Sequence, residues 1–218
     1  ITVVQPTGQR VRLAVPVDAS ATDTAGVASL VVSAGLSGFT DTDATASRVQ
    51  GSWSVPTPLA DGTIAVTFRG CDVVGNCGTA TATVIVDRTP PAITTSVTFL
   101  NTGSMMAVAP FGPSRIVAGT ITVVATATDD AGLASTSVTR MGMPLMPMGG
   151  NTVSRFQGSF VTTSQADGAL LLVATSCDTV GNCADSNVSL VVDNTAPVIA
   201  VQSPPSPSPF YSVSVPLE

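Results

Sequence analysis

From Val11 to Thr22 apolar and polar residues alternate with a period near two, and similar short runs follow at Val27 to Ser33, Val49 to Val55, Thr63 to Gly70 and Thr79 to Asp87. Successive side chains on a strand point to opposite faces, so this alternation predicts half-buried β-strands. The runs are rich in Val, Thr and Ala, and Gly, Pro and Asp punctuate them at short intervals. That is the pattern of an antiparallel sandwich with turns between strands. No stretch carries helical periodicity. Gly and Pro also recur too often for a long helix, since an interior Pro costs about 3 kcal/mol.

The pattern is written twice. Ala-Thr-Asp-Thr-Ala-Gly at 21–26 returns as Ala-Thr-Asp-Asp-Ala-Gly at 127–132. Cys-Asp-Val-Val-Gly-Asn-Cys at 71–77 returns as Cys-Asp-Thr-Val-Gly-Asn-Cys at 177–183, and Val-Asp-Arg-Thr-Pro-Pro at 86–91 as Val-Asp-Asn-Thr-Ala-Pro at 192–197. The offset is 106 each time (127−21, 177−71, 192−86), and Ala60-Asp61-Gly62 and Ala166-Asp167-Gly168 share it. One register for four motifs makes each repeat a domain. The expected division is 1–89, 90–195, and a 196–218 segment that is a linker and the beginning of a further repeat. Val215-Pro216-Leu217-Glu218 matches Val15-Pro16-Val17-Asp18 in kind, although a terminal Leu-Glu also fits a tag remnant. No signal peptide opens the sequence, so either one was removed or the sequence is a piece of something longer, and on either reading of its C-terminus the native protein is expected to continue.

The order Ala-Thr-Asp-x-Ala-Gly, Leu-Ala-Asp-Gly-Thr-Ile (59–64), Asp72-Val-Val-Gly-Asn76, Val-Asp-x-Thr-x-Pro resembles the bacterial immunoglobulin-like repeats of large cell-surface and adhesin proteins. The resemblance spans nearly all of both repeats. It implies an all-β chain of two tandem immunoglobulin-like β-sandwich domains, serving as a stalk or adhesive rod, in some members stiffened by calcium. Two departures stand out. Ile64 and Leu170 lie where the family often has Tyr, and cysteines flank the Asp-x-x-Gly-Asn turn.

Composition removes several chemistries. The chain has no His and no Lys, so it has no imidazole base or ligand and no Schiff-base amine. Ser and Thr have no evident base partner. No enzymatic activity is expected. The net charge of −6 with no basic cluster argues against nucleic acid and anionic membrane as partners. No apolar run reaches the ~18 residues of a membrane span. Apart from Glu218 every acidic residue is Asp, a turn former and a hard oxygen ligand.

Cys71 and Cys77 flank five turn residues, as do Cys177 and Cys183. In a hairpin that spacing sets the sulfurs opposite each other at bridging distance. Disulfides Cys71–Cys77 and Cys177–Cys183 are therefore expected, and with them an oxidising compartment. Free buried thiols, a redox pair and a shared zinc site are the alternatives. The spacing is wrong for Cys-x-x-Cys chemistry, and zinc would have to gather pairs 106 residues apart.

Chain direction brings the aspartates together. In a sandwich of up-and-down strands, the turn after the second strand and the last hairpin lie at the end where the domain begins. In the second repeat those turns carry Asp129-Asp130 and Asp178, and the linker carrying Asp87 arrives at the same end. Asp87, Asp129 or Asp130, and Asp178 are thus candidate Ca²⁺ ligands at the joint. The alternative has each Asp bonding only its own turn. Asp23 and Asp72 would form half of an equivalent site, and Asp193 would serve a following domain.

The run Met141-Gly-Met-Pro-Leu-Met-Pro-Met148 replaces Ser37 to Ala46 of the first repeat. Its methionines are expected to pack onto the sandwich; a Cu(I) site and an exposed adhesive patch are the alternatives. Trp53 and Phe160 are expected in the inter-sheet core, and Asp61 and Asp167 in turns. The leading expectation is a structural or spacer module of an extracellular or cell-surface bacterial protein (adhesin, stalk or fibre), whose partners are neighbouring repeats of its own chain. A module binding cell-surface glycan or protein, and a self-assembling filament subunit, are the alternatives.

Overall fold

The computed structural model describes residues 1–35, 38–43, 45–57, 59–100 and 116–200, the side chain of Leu100 excepted. The Pro-rich stretch from 203 and the terminal segment at 215–218 lie outside the described residues, as do residues 37 and 44 of the first repeat's variable loop. Among the described residues there is no helix, hence none long and apolar enough to cross a membrane.

The first half of the chain forms β1 (Thr2–Gln5), β2 (Arg10–Val11), β3 (Ala14–Ser20), β4 (Val27–Ser33), β5 (Thr40–Asp41), β6 (Arg48–Ser54), β7 (Gly62–Asp72) and β8 (Cys77–Val86). They assemble as a sheet β1-β3-β6-β5 and a sheet β2-β8-β7-β4. The second half forms β9 (Ala92–Leu100), β10 (Ile116–Val117), β11 (Thr120–Thr128), β12 (Leu133–Arg140), β13 (Met143–Pro144), β14 (Arg155–Val161), β15 (Gly168–Asp178) and β16 (Cys183–Val192). These make β14-β11-β9 and β10-β16-β15-β12-β13. This partition of strands, with the first strand split between the two sheets, is that of the immunoglobulin sandwich. The chain is two immunoglobulin-like β-sandwiches, each with a disulfide-pinned hairpin.

Alternation sets what each sheet hides. On β3, Val15, Val17 and Ala19 are buried while Pro16 and Asp18 face outward. On β11, Ile121, Val123, Ala125 and Ala127 are buried. Each large apolar side chain buried this way contributes about 1.5–3 kcal/mol. The buried residues form two separate clusters, one within Val15–Val86 and one within Val97–Val192. Trp53 and Phe160 are both buried in them, and the Trp53 ring stacks at a tilt against Phe39, 4.7 Å between centroids.

The last hairpin of each sandwich pairs its cysteines directly across the strands. Cys71–Cys77 and Cys177–Cys183 are disulfides, each with Cα atoms 4.1 Å apart. The intervening Asp-x-x-Gly-Asn turn needs a left-handed backbone at its glycine, and Gly75 and Gly181 have φ of 96° and 93°.

The methionine loop departs from expectation. Met141, Met143, Met146 and Met148 are 61%, 68%, 77% and 45% exposed, and only Leu145 reaches the core. The loop is held by its backbone: Leu145 N–H donates to Val138 C=O, Met148 N–H to Gln157 C=O, and the Asn151 amide to Met148 C=O. With the chain tied to strands on both sides and Leu145 filling the available core, the thioethers are left outside.

Candidate metal centre at the inter-domain joint

Alternation carries Asp178 inward. It ends β15 on the face that buries Leu170, Leu172, Ala174 and Ser176, and it is itself 2% exposed. A buried carboxylate must be hydrogen-bonded, and the turn supplies the donors. Oδ1 accepts the N–H groups of Val180, Gly181 and Asn182 at 2.9, 2.6 and 2.8 Å, and Oδ2 accepts the Asn182 side-chain amide at 2.7 Å. Burial is the largest influence on Asp178 and raises it, but the bonds from Asn182, Val180 and Gly181 together outweigh it and hold the carboxyl below its ordinary value.

Asp87 follows β8 and extends its parallel pairing with β2, donating its N–H to Val11 C=O at 2.9 Å. Its carboxylate is buried, accepts Thr89 N–H at 3.2 Å and forms an ion pair with Arg10 at 3.3 Å. Burial pushes Asp87 above the ordinary value. The charges of Asp129 and Asp178 push the same way, against the Thr89 bond and Arg10. Asp129 is half-buried in the β11–β12 turn, where its Oδ1 accepts Ala131 N–H at 2.7 Å.

One oxygen from each of Asp87, Asp129 and Asp178 lies within 4.8 Å of the others. Of the adjacent pair named from the sequence, Asp129 joins this group; Asp130 is exposed and stands outside it. Two direct contacts cross the joint beside the carboxylates. The Asn182 side-chain amide donates to Asp87 C=O at 3.2 Å, and the Arg12 guanidinium donates to Gly181 C=O at 2.6 Å.

The donor set suits a hard divalent cation. Ca²⁺ takes oxygens at about 2.3–2.6 Å, so two ligands of one ion sit at most ~5.2 Å apart. The carboxylate spread falls inside that limit. The residues therefore fit Ca²⁺, with carbonyls and water available to complete 6–8 ligands. Without a cation, each carboxylate pair at this spacing repels by about 3 kcal/mol at an effective dielectric near 20, with Arg10 offsetting part.

The segment leaving each sandwich is anchored by residues of the repeated motifs themselves. Arg88 donates to five carbonyls, those of Arg12, Val55, Pro56, Thr57 and Leu59. Asn194 takes the equivalent position and donates to Thr162 and Gln165. Asp61 accepts the N–H and hydroxyl of Thr89, at 3.0 and 2.6 Å, and Asp167 accepts Asn194 N–H and the Thr195 hydroxyl. Asp61 and Asp167, expected only as turn residues, thus also fix the exit of the chain.

No known family's sequence profile matches the chain, and no curated protein matches it. Solved structures overlay it loosely. The fibronectin(III)-like modules of Clostridium thermocellum CbhA share 13% identity over 88% of this chain and 92% of theirs, with a TM-score of 0.40. The D00-D0 domain of Intimin shares 11% over 88% and 99%, with a TM-score of 0.41. Cadherin domains 3-6 of protocadherin gamma B2 share 10% over 88% and 46%, with a TM-score of 0.34. The fold assignment rests on the strand order and the two cores.

Proposed function

We propose that the chain is a non-enzymatic spacer of an extracellular surface protein, an adhesin, stalk or fibre, whose joint is stiffened by Ca²⁺ bound to Asp87, Asp129 and Asp178. The observation that carries the reading is the meeting of these three carboxylates at the joint, beside the Asn182 and Arg12 contacts. The anchored exit supports it, because Arg88 removes freedom that a flexible linker would keep. Two disulfides and no free cysteine suit an oxidising compartment. The bound cation neutralises the acidic corner, and the residues around it hold the domain angle.

Spin labels on the two sandwiches, read by pulsed electron resonance, test this. Millimolar Ca²⁺ is expected to narrow the distance distribution, with a Kd on the order of 0.1–1 mM as in extracellular calcium modules. Asp129→Asn is expected to remove that response. Equal distributions in Ca²⁺ and EGTA would sink the calcium reading.

The exposed Met141, Met143, Met146 and Met148 favour a second reading, a protein- or glycan-binding loop. A glycan array probes it directly, and a blank array counts against its glycan form.

A further inference from the structure

The two cystines occupy the same rung of the same hairpin but differ in the charge beside them. On β7, Val66 and Phe68 point into the core, so alternation sends Arg69 and Cys71 to the outer face. Thr79 and Cys77 of β8 stand opposite them. The second sandwich repeats this arrangement with Thr175 and Cys177 opposite Asp185 and Cys183. Cys77 and Cys183 are both exposed. Cys183 is so with the first sandwich in place beside its hairpin, so a neighbouring domain does not close off this face.

In the first hairpin the Arg69 guanidinium lies on the cystine, with Nη2 3.1 Å from Cys77 Sγ. In the second, Thr175 takes the place of Arg69 and Asp185 that of Thr79. The Thr175 hydroxyl donates to the Asp185 carboxylate at 2.6 Å, two residues from Cys183 on the same face of β16. The aspartate that opens each turn, Asp72 or Asp178, is common to both hairpins. The second also has the Asp87 and Asp129 carboxylates near Asp178, and the Arg12 guanidinium on the Gly181 carbonyl at its tip. A cation thus touches one sulfur of the first cystine, while the matching position beside the second carries a carboxylate.

Thiol–disulfide exchange puts negative charge on the sulfur that leaves, so a cation held on that sulfur speeds the step and a nearby carboxylate slows it. We propose that Cys71–Cys77 is a site of covalent modification by low-molecular-weight thiols, with Cys71 the acceptor, Cys77 the leaving sulfur and Arg69 the group that stabilises the departing thiolate, whereas Cys177–Cys183 is a structural bond alone. The incoming thiolate attacks Cys71 Sγ in line with the cystine. A bond forms between its sulfur and Cys71 Sγ, the Cys71–Cys77 bond breaks, and the electron pair leaves on Cys77 Sγ beside the guanidinium. The incoming sulfur is oxidised to the mixed disulfide and Cys77 is reduced to the thiolate. Return of the Cys77 thiolate to Cys71 expels the small thiol and restores the cystine. The turn survives the opening, because Asp72 Oδ1 accepts Val74 and Asn76 N–H at 2.9 and 2.8 Å and Oδ2 accepts the Asn76 amide at 2.8 Å.

The experiment treats the intact chain with glutathione in EGTA at mildly alkaline pH, quenches with acid, alkylates, and follows each cystine by peptide mass spectrometry. Cys71–Cys77 is expected to open about tenfold faster than Cys177–Cys183, with glutathione found on Cys71. Arg69→Thr is expected to remove that advantage and Arg69→Lys to keep most of it. Molar NaCl is expected to narrow the gap by screening the guanidinium. Thr175→Arg with Asp185→Thr is expected to speed the second cystine. A damaged fold would raise a variant's rate, so the slowing expected of Arg69→Thr cannot come from unfolding. Equal rates in the unsubstituted chain overturn the assignment, as does glutathione located on Cys77. A faster first cystine that is indifferent to Arg69→Thr reflects access alone and overturns it too.

Discussion

The hairpin loops Cys71–Cys77 and Cys177–Cys183 share a motif, a disulfide and most of their internal hydrogen bonds, yet Asp72 is half-buried and Asn76 exposed in the first, whereas Asp178 and Asn182 are buried in the second. Their shape is local: an aspartate bonding the N–H groups ahead of it, with glycine allowing the turn. Their electrostatics are not local. Asp72 is lowered first by the Asn76 side chain, and burial opposes only in part. At Asp178 burial is the leading influence and the bonds must overcome it. Covering the loop converts a turn-forming carboxylate into one member of a crowded acidic group.

Four measurements sharpen or break that contrast. Asn182→Ala leaves the buried Asp178 carboxylate and Asp87 carbonyl short of a donor, and should lower the urea stability of the second sandwich by about 2–3 kcal/mol. Asn76→Ala is a surface change and should stay within about 0.5 kcal/mol. Equal losses would show that cover does not matter. Replacing either cysteine pair by serine should cost about 2 kcal/mol from loop closure alone. Only the Cys177/Cys183 pair should also broaden the inter-domain distance distribution.

Calcium at ten times its Kd should add about 1.4 kcal/mol to the calorimetric stability of the joint. Asp129→Asn should abolish the gain and Asp23→Asn should leave it. The smallest effect is on pH. Asp87 is raised, so in EGTA its contribution is full below its ordinary 3.8 and is lost as pH rises through its higher folded value. Asp178 is lowered, so its contribution is present above 3.8 and is lost as pH falls through its lower folded value. The joint is thus expected to be most stable in mild acid, and Asp87→Asn should flatten the decline toward neutrality. A thermal melt series from pH 3 to 7 reads both arms.

The strands and the acidic meeting point were legible because both follow from order along the chain. Val27–Ser33 was delimited as found, and strand direction alone brought Asp87 toward the turns carrying Asp129 and Asp178. The choice of Asp129 over Asp130 was not legible, since it depends on which side chain turns inward. Nor were Arg10, Arg12 and Arg88, which lie at positions where the repeats differ: Ile116, Ala118 and Asn194 replace them. The short β1 and β2 offer too few residues for a period to show. The methionine loop was misjudged because composition suggests burial, while backbone bonds and one leucine had already settled what the core would admit.

The parallel contact of β2 with β8 has a mechanical consequence. These strands lie near the first and last residues of one sandwich and run the same way, pairing Arg10 with Ile85 and Val11 with Val86. Tension applied through the two ends draws them in opposite directions along their length. The bonds between them are then loaded together in shear and cannot be unzipped one at a time. A tether built from such units resists stretching through the small patch where its beginning and end lie side by side.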